Sequence, residues 1–296
     1  MIVVVTGANG LVGSRLCATL AERGASVRAV VRRAGTAPAV AGVEEQVGDF
    51  TDDAFAASVL TGAEAAVTTV HPMGGDAAVQ HRIGVEGTTS FAAAAVGAGV
   101  ERFVHVSTAA VYDRSPGVGD VDESCALVGD DAGDYPVTKR DADLAIAAVG
   151  GLTRVLLRPP AVLGAGGSSI WNTLRPAAIR SDEQARHAVP DQSFAWVHVD
   201  DLVAFAADVA TTRVAASTDP TTGPVAGACT PVNVSAGPAT LRDYVGTVAS
   251  AVGVTPVWDD GEAWTGRILA DRARGWGWTP AVGLPEALDE IAAGLR

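Results

Sequence analysis

An α/β fold built on a doubly wound parallel sheet is what this sequence predicts, and three observations predict it. Short apolar runs, mostly β-branched, recur at Ile2–Thr6, Ser26–Val31, Ala65–Val70, Phe103–Ser107 and Arg154–Leu157. They lack polar alternation, which fits strands buried on both faces. Between them lie stretches of helix-forming composition, Leu11–Arg23, Ala54–Leu60, Val79–Gly97 and Val137–Val149. Strand–helix alternation at that pace reads as repeated βαβ units. Third, glycines stand at 7, 10 and 13, directly after the first apolar run. A two-layer α+β arrangement accounts less well for so regular an alternation.

After Leu157 the rhythm changes. Arg158-Pro159-Pro160 closes a strand, and Gly164–Ser169 is a loop of small residues. Ile170–Arg186 reads as helical, broken once by Pro176. Trp196–Val199 is a further strand with a helix, Leu202–Ala210, behind it. Thr211–Pro238 is rich in Thr, Pro, Gly and Ala, with a strand expected at Pro231–Val234. Leu241–Val252 and Leu284–Leu295 are the last helices. The expected organisation is a nucleotide-binding domain over 1–163, with 196–234 packing back onto it. Residues 164–195 and 235–296 would then form a smaller C-terminal substrate-binding lobe.

Composition excludes several function classes. The chain has 296 residues, 48% of them hydrophobic, enough for a sizeable core. Its 21 Lys and Arg against 34 Asp and Glu give a net charge of −13, which repels phosphate backbones, so no nucleic-acid partner is expected. No apolar run approaches the ~20 residues of a membrane span. Met1 leads straight into Ile2–Val5 without a basic region, so no secretory signal is expected. Cys17, Cys125 and Cys229 are widely spaced, which suits a reducing cytoplasm, and no metal-ligand spacing occurs. The expectation is a cytoplasmic monomer or homodimer acting on a small molecule.

Thr6-Gly7-Ala8-Asn9-Gly10-Leu11-Val12-Gly13 is the strongest local signal. The glycines allow a tight strand-to-helix turn, close approach of backbone to a pyrophosphate and close helix–sheet packing. The helix start then offers free N–H groups and its positive dipole end to the phosphates. This makes the sheet Rossmann-type and assigns Gly7, Asn9, Gly10, Leu11, Val12 and Gly13 to a dinucleotide. The second strand ends in Arg32-Arg33 rather than in the acidic residue that binds a ribose 2′-hydroxyl. Paired guanidinium donors suit a 2′-phosphate, so NADP(H) is preferred and NAD(H) is the alternative. Asp49-Phe50, after the third strand, is placed at the adenine.

Tyr135-Pro136-Val137-Thr138-Lys139 opens a helix, where i,i+4 spacing puts phenol and ammonium on one face. A free tyrosine, with a pKa of about 10, is poorly matched to proton transfer near neutrality. A fixed ammonium is expected to lower it. Thr108 follows the fourth of the buried runs, at the strand end where ligands of open α/β sheets bind.

Taken together, the chain resembles the extended short-chain dehydrogenase/reductase superfamily, which includes nucleotide-sugar epimerases and dihydroflavonol-type reductases. The resemblance rests on TGANGLVG at Thr6–Gly13, GVEGT at Gly84–Thr88 and VERFVHVSTAAVY at Val100–Tyr112. It continues through YPVTK at Tyr135–Lys139, LRPPAVLGAG at Leu157–Gly166, WVHVDDL at Trp196–Leu202 and GWGWTPAVGLPEAL at Gly275–Leu288. It implies that Tyr135 is the acid/base, Lys139 its pKa-lowering and ribose-binding partner, and Thr108 the partner of the substrate hydroxyl. Val70, His71, Pro72, Ser107, Pro159 and Val162, near the ends of their strands, are expected on the cofactor.

Departures from the family pattern bear on the substrate. Epimerases usually carry an Arg where this chain has Phe194, an Asn where it has Ala161, and an Asn at Gly84. Ala161, Trp171 and Phe194, with Thr108, are expected at a moderately apolar, ring-containing substrate. Arg180 and Arg186 read as solvated helix charges, with a phosphate contact as the alternative, His105 as a core or cofactor-side residue, His198 as structural, and Trp276 with Trp278 as core. The leading expectation is an NADP(H)-dependent reductase interconverting a ketone and a secondary alcohol. A sugar or nucleotide-sugar epimerase or dehydratase, and a non-catalytic NADP(H)-sensing protein, are the alternatives.

Overall fold

The apolar runs of the first half become neighbouring strands. In a computed structural model, which describes residues 1–72 and 76–296, β1 (Ile2–Thr6) leads through α1 (Leu11–Glu22) to β2 (Ser26–Val31) and β3 (Val43–Val47). Then come α2 (Asp53–Leu60), β4 (Ala65–Thr68) and α3 (Ala77–Gln80), which passes through a π-helical turn, His81–Gly87, into α4 (Thr88–Gly97). β5 (Arg102–Val106), a 3₁₀ turn at Ala109–Val111, α5 (Asp134–Ala148) and β6 (Thr153–Arg158) follow. The second half supplies β7 (Ala161–Leu163), α6 (Arg175–Ser181), β8 (His187–Ala188), β9 (Trp196–His198) and α7 (Val199–Ala210). It ends with β10 (Cys229–Asn233), α8 (Leu241–Val252), β11 (Val257–Trp258), α9 (Asp271–Gly275) and α10 (Leu284–Leu295).

Seven strands form one sheet in the order β10-β6-β5-β4-β1-β2-β3, with every pairing parallel. Successive side chains of a strand face opposite ways. Val3 and Val5 therefore pack with Leu16 and Leu20 of α1 and Leu202 and Phe205 of α7. Val4 packs instead with Leu60 of α2, Phe91 of α4 and Ile146 of α5. Trp276 and Trp278 tilt onto Phe205 at 6.1 and 6.0 Å, inside the first of these cores. The chain leaves β1 toward β2 and β3, then returns to lay β4 on the other side. That reversal opens a crevice at the strand ends, the place where open α/β sheets bind ligands.

A further hydrophobic cluster joins Leu163, Ile179, Phe194, Trp196, Tyr244, Val248 and Ile291. Two short parallel pairs, β7 with β9 and β8 with β11, lie outside the large sheet. β7, β8, β11 and α9 are too short to carry a periodic signal, and the sequence does not announce them.

Two helical expectations change. The helix expected over Val79–Gly97 starts earlier, at Ala77, and its His81–Gly87 segment is π-helical. Gly87 sits where a Cβ would come within 2.5 Å of the Thr51 methyl, so the helix runs close against the loop before α2. Pro176 does not break the helix expected over Ile170–Arg186. A π-helical turn, Ile170–Leu174, runs into α6, Pro176 stands in the first turn of α6, and the helix stops at Asp182 instead. The strand expected at Pro231–Val234 is β10, starting two residues earlier; as the edge strand it tolerates Pro231.

A Cβ on Gly13 would lie 2.1 Å from the carbonyl oxygen of Gly7, so α1 can meet β1 this closely only with glycine there. Gly13→Ala should cost roughly 1–3 kcal/mol through overpacking. Denaturant unfolding of the variant measures it, and an unchanged midpoint would contradict this account.

Candidate active site

One cleft of about 840 Å³ runs along the crevice from the end of β2 to the start of α5. Gly7, Asn9, Gly10, Leu11, Val12 and Gly13 form its floor at the start of α1. Gly7 is held at φ +70, and a Cβ there would meet the Thr69 hydroxyl at 2.6 Å. Gly10 caps α1 with no side-chain hydrogen bond, so first-turn N–H groups are left for a ligand. The loop therefore fits a pyrophosphate by its own geometry.

Arg32 and Arg33 line the cleft at the end of β2 and make no ion pair among the described residues. The loop behind them is folded onto Glu45 of β3. Its carboxylate accepts from the N–H groups of Gly35 (2.8 Å), Thr36 (3.0 Å) and Ala37 (2.9 Å), which hold its pKa below the usual range. The Thr36 hydroxyl closes the turn on the Arg33 carbonyl at 2.7 Å. A carboxylate does stand close to the arginines, contrary to the local sequence, but it serves the loop's amides. Asp49 and Phe50 also line the cleft. The Asp49 carboxylate accepts from the Thr51 amide and hydroxyl at 2.9 and 2.8 Å, and the Phe50 ring is buried edge-on to Phe91.

At the other end Val70, His71, Pro72, Tyr135 and Val162 form the wall. α5 starts after Gly133, at φ +89, and this turn sets Tyr135 at the cleft. Thr108 stands beside its phenol, and the Thr108 hydroxyl accepts from the Ala110 N–H at 3.1 Å and caps the 3₁₀ turn. Burial raises the Tyr135 pKa, and the neighbouring Thr108 hydroxyl pulls it back. The lowering expected from Lys139 is not what the chain's own groups produce. The Lys139 ammonium, buried one helical turn on, donates to the Val106 carbonyl at 2.9 Å.

His71 packs edge-on to Tyr135, ring centroids 5.1 Å apart, with Nε2 3.4 Å from the Thr138 hydroxyl. It needs Gly84 behind it, because a Cβ there would lie 2.8 Å from Nδ1. Burial first, and the Lys139 charge second, bring His71 down to about 3.

Other expected residues lie behind the wall. Ser107 is buried, its N–H donating to Leu157 O at 2.8 Å, and the Pro159 carbonyl accepts from Ala109 N–H. The neighbouring Pro160 lines the cleft instead. Ala161 is tied by its N–H to Ala195 O. Trp171 lines the cleft, whereas Phe194 is 4% exposed, stacked on Tyr244 at 4.6 Å and edge-on to Trp171 at 5.1 Å. Residues that sequence reasoning missed include Thr69, Val79, Ile83, Ser168 and Ile170. The i,i+4 apolar pair Val79/Ile83 is the one signal among them that spacing offered. Among the described residues no group of His, Cys, Asp or Glu could hold a metal ion, and no helix is long and apolar enough to cross a membrane.

The arrangement is a dinucleotide cradle joined to a phenol, a hydroxyl and a buried ammonium. Comparison with known proteins gives it a family. The sequence profile of the NAD dependent epimerase/dehydratase family matches residues 3–221, and the chain belongs to that family, within the extended short-chain dehydrogenase/reductase superfamily. It is similar to 4-hydroxy-2-methyl-3-oxo-4-farnesyl-3,4-dihydroquinoline-1-oxide ketoreductase of Stigmatella aurantiaca, 36% identical over 54% of this chain and 50% of that one. It is also similar to 3 beta-hydroxysteroid dehydrogenase/Delta 5-->4-isomerase of Mycobacterium tuberculosis, 29% identical over 60% and 51%. The chain thus matches about half the length of these curated relatives. The UDP-glucose 4-epimerase of Thermotoga maritima, solved with UDP-glucose, shares the fold with a TM-score of 0.77 at 17% identity, over 100% of this chain and 99% of that one.

The lowered pKa of His71 has a checkable consequence. The unfolded chain takes up this proton near 6.5, while the fold refuses it until about 3. Stability should therefore fall as pH drops through that window, because the unfolded state binds more protons there. Imidazole ¹⁵N shifts should show His71 neutral at about pH 5; a protonated ring at that pH would contradict the burial argument.

Proposed function

We propose that this member of the NAD dependent epimerase/dehydratase family is an NADP(H)-dependent reductase or dehydrogenase, interconverting a ketone and a secondary alcohol on a small apolar molecule. The observation that carries the reading is the division of the cleft. Its ionic side chains, Arg32, Arg33 and Asp49, stand at the nucleotide end. The lining also holds Pro72, Val79, Ile83, Pro160, Val162, Ile170 and Trp171, and among the described residues it has no lysine or arginine besides Arg32 and Arg33 to grip a diphosphate. Where epimerases of the family carry an arginine, Phe194 is sealed under Trp171 and Tyr244. The ketoreductase and hydroxysteroid dehydrogenase names of the curated relatives support the same class.

When bound, the nicotinamide supplies hydride exchange with the substrate carbon. The chain's residues do the rest. The start of α1 binds the pyrophosphate, and Arg32 and Arg33 take the 2′-phosphate as paired N–H donors. The Thr108 hydroxyl and the Tyr135 phenol, side by side at the cleft, share the substrate oxygen. The raised pKa keeps the phenol protonated at neutrality, so it gives its proton to the oxygen in the reductive direction. The phenolate left behind is compensated by the Lys139 ammonium one turn away. The lobe of residues 164–195 and 235–296 shields this exchange from water.

Tyr135→Phe should lower turnover of an alicyclic or aromatic ketone by about 10²–10⁴-fold, the usual range for a lost general acid. Dinucleotide affinity should hardly change, whereas Lys139→Met should damage both. Steady-state rates with cofactor titrations read the pattern, and near-normal turnover by the Phe variant would refute the assignment.

Arg32→Ala with Arg33→Ala should weaken NADPH much more than NADH, since each charge-assisted bond lost costs about 1.5–3 kcal/mol. Calorimetric titration of both dinucleotides decides it. A wild type that prefers NADH would overturn the reading of this strand end.

A further inference from the structure

Lys and Arg together number 21, and Lys139 is the sole lysine among them. It is 3% exposed, and its Nζ has the Val106 carbonyl as hydrogen-bond acceptor. A buried amine loses its proton readily unless an anion stands by. Burial draws Lys139 down to about 8, and Asp143 acts in the opposite sense.

Asp143 lies one turn further along α5, 1% exposed. Its Oδ2 accepts from Arg158 Nε at 2.9 Å. Arg158 is itself fixed, donating from Nη1 to the Tyr112 hydroxyl at 2.8 Å with its guanidinium over that ring. The Tyr112 hydroxyl donates in turn to Asn233 Oδ1 at 2.8 Å, on the edge strand β10. Burial pushes the Asp143 carboxyl up, and Arg158 foremost, then the Ser107 hydroxyl and Lys139, pull it back. Against burial, which lowers it, Asp143 and the Tyr112 hydroxyl raise the Arg158 pKa, and arginine and carboxylate meet as an ion pair.

The other ionisable groups around the ammonium are neutral. His71 follows β4, and His105 on β5 is buried with Nδ1 2.7 Å from the Thr68 hydroxyl; burial lowers both, with the Lys139 charge adding to it. Tyr135, one turn earlier on α5, is raised by burial. Asp143, four residues on from Lys139 and buried on the same helix, is the carboxylate that acts on Lys139 among the described residues, and Arg158 shares it.

We propose that Asp143 is a positioning residue that keeps Lys139 charged, and that Arg158 with Tyr112 fixes the carboxylate where it can do so. The inference rests on reading Lys139 as the partner of Tyr135, but its test reads the charge itself. A protein with one lysine, labelled with ¹³C at Cε, gives one lysine side-chain signal. In the wild type that signal should titrate near 8, the value burial and Asp143 set between them. In Asp143→Asn its proton affinity should drop about tenfold or more. Asp143→Glu, which keeps the carboxylate, should bring it back toward the wild type.

An unchanged midpoint in folded Asp143→Asn would overturn the proposal. Should that variant not fold, the wild type decides. The Asp143 ¹³Cγ signal must inflect at the lysine midpoint, and a flat signal there would overturn it equally. Turnover separates the two readings. If the midpoint moves as expected while Lys139→Met leaves turnover unharmed, the catalytic reading fails and the charge control stands.

Discussion

Two cations and one carboxylate share the interior between the sheet and α5, and the ordering of the reactive end depends on how they are compensated. Arg158 comes from β6, Asp143 and Lys139 from α5, and Tyr112 follows the 3₁₀ turn after β5. Removing one member of such a buried pair typically costs about 3–5 kcal/mol, because its partner is left charged in a poor solvent. The network therefore cannot relax piecemeal. It ties the helix that carries Tyr135 to the two strands beneath it, and through Asn233 to the edge of the sheet. Asn233 extends the linkage, its side-chain amide donating to the Leu269 carbonyl and its backbone N–H to the Glu123 carboxylate. A catalytic helix anchored this way presents its phenol at a fixed height above the cleft.

The nucleotide end is governed by a different constraint, space. Gly7 and Gly13 let α1 press against β1, and the same closeness brings unpaired amides to the cleft. Glu45 completes that end without touching a ligand. Three backbone amides converge on its carboxylate, so the turn after Arg33 has one shape. Preorganisation of this sort lowers the entropy that ordering a basic loop would otherwise cost on binding.

Much of this was legible from the chain alone, for physical reasons. The buried strands are unbroken apolar runs, and the glycine loop has its meaning fixed by the strand before it. The i,i+4 relation of Tyr135 and Lys139 is local, so spacing reveals it. What spacing hides is where a side chain ends. The Lys139 ammonium turns to the Val106 carbonyl, and burial raises the phenol that the ammonium was expected to lower. Phe194 read as a substrate wall, yet Tyr244, fifty positions later in the chain, covers it. Glu45 was invisible because its meaning arises only when β3 pairs with β2. Gly84 looked like a missing asparagine, and it is the room that the His71 ring requires.

The lone lysine has a consequence outside chemistry at the cleft. A protease that cuts only after lysine has a single internal target in these 296 residues, and the fold keeps that target 3% exposed at the base of a helix. Cleavage must then wait for α5 to leave the sheet. The cut would yield two fragments of nearly equal size, so the rate at which they accumulate is a direct clock for the opening of the catalytic helix.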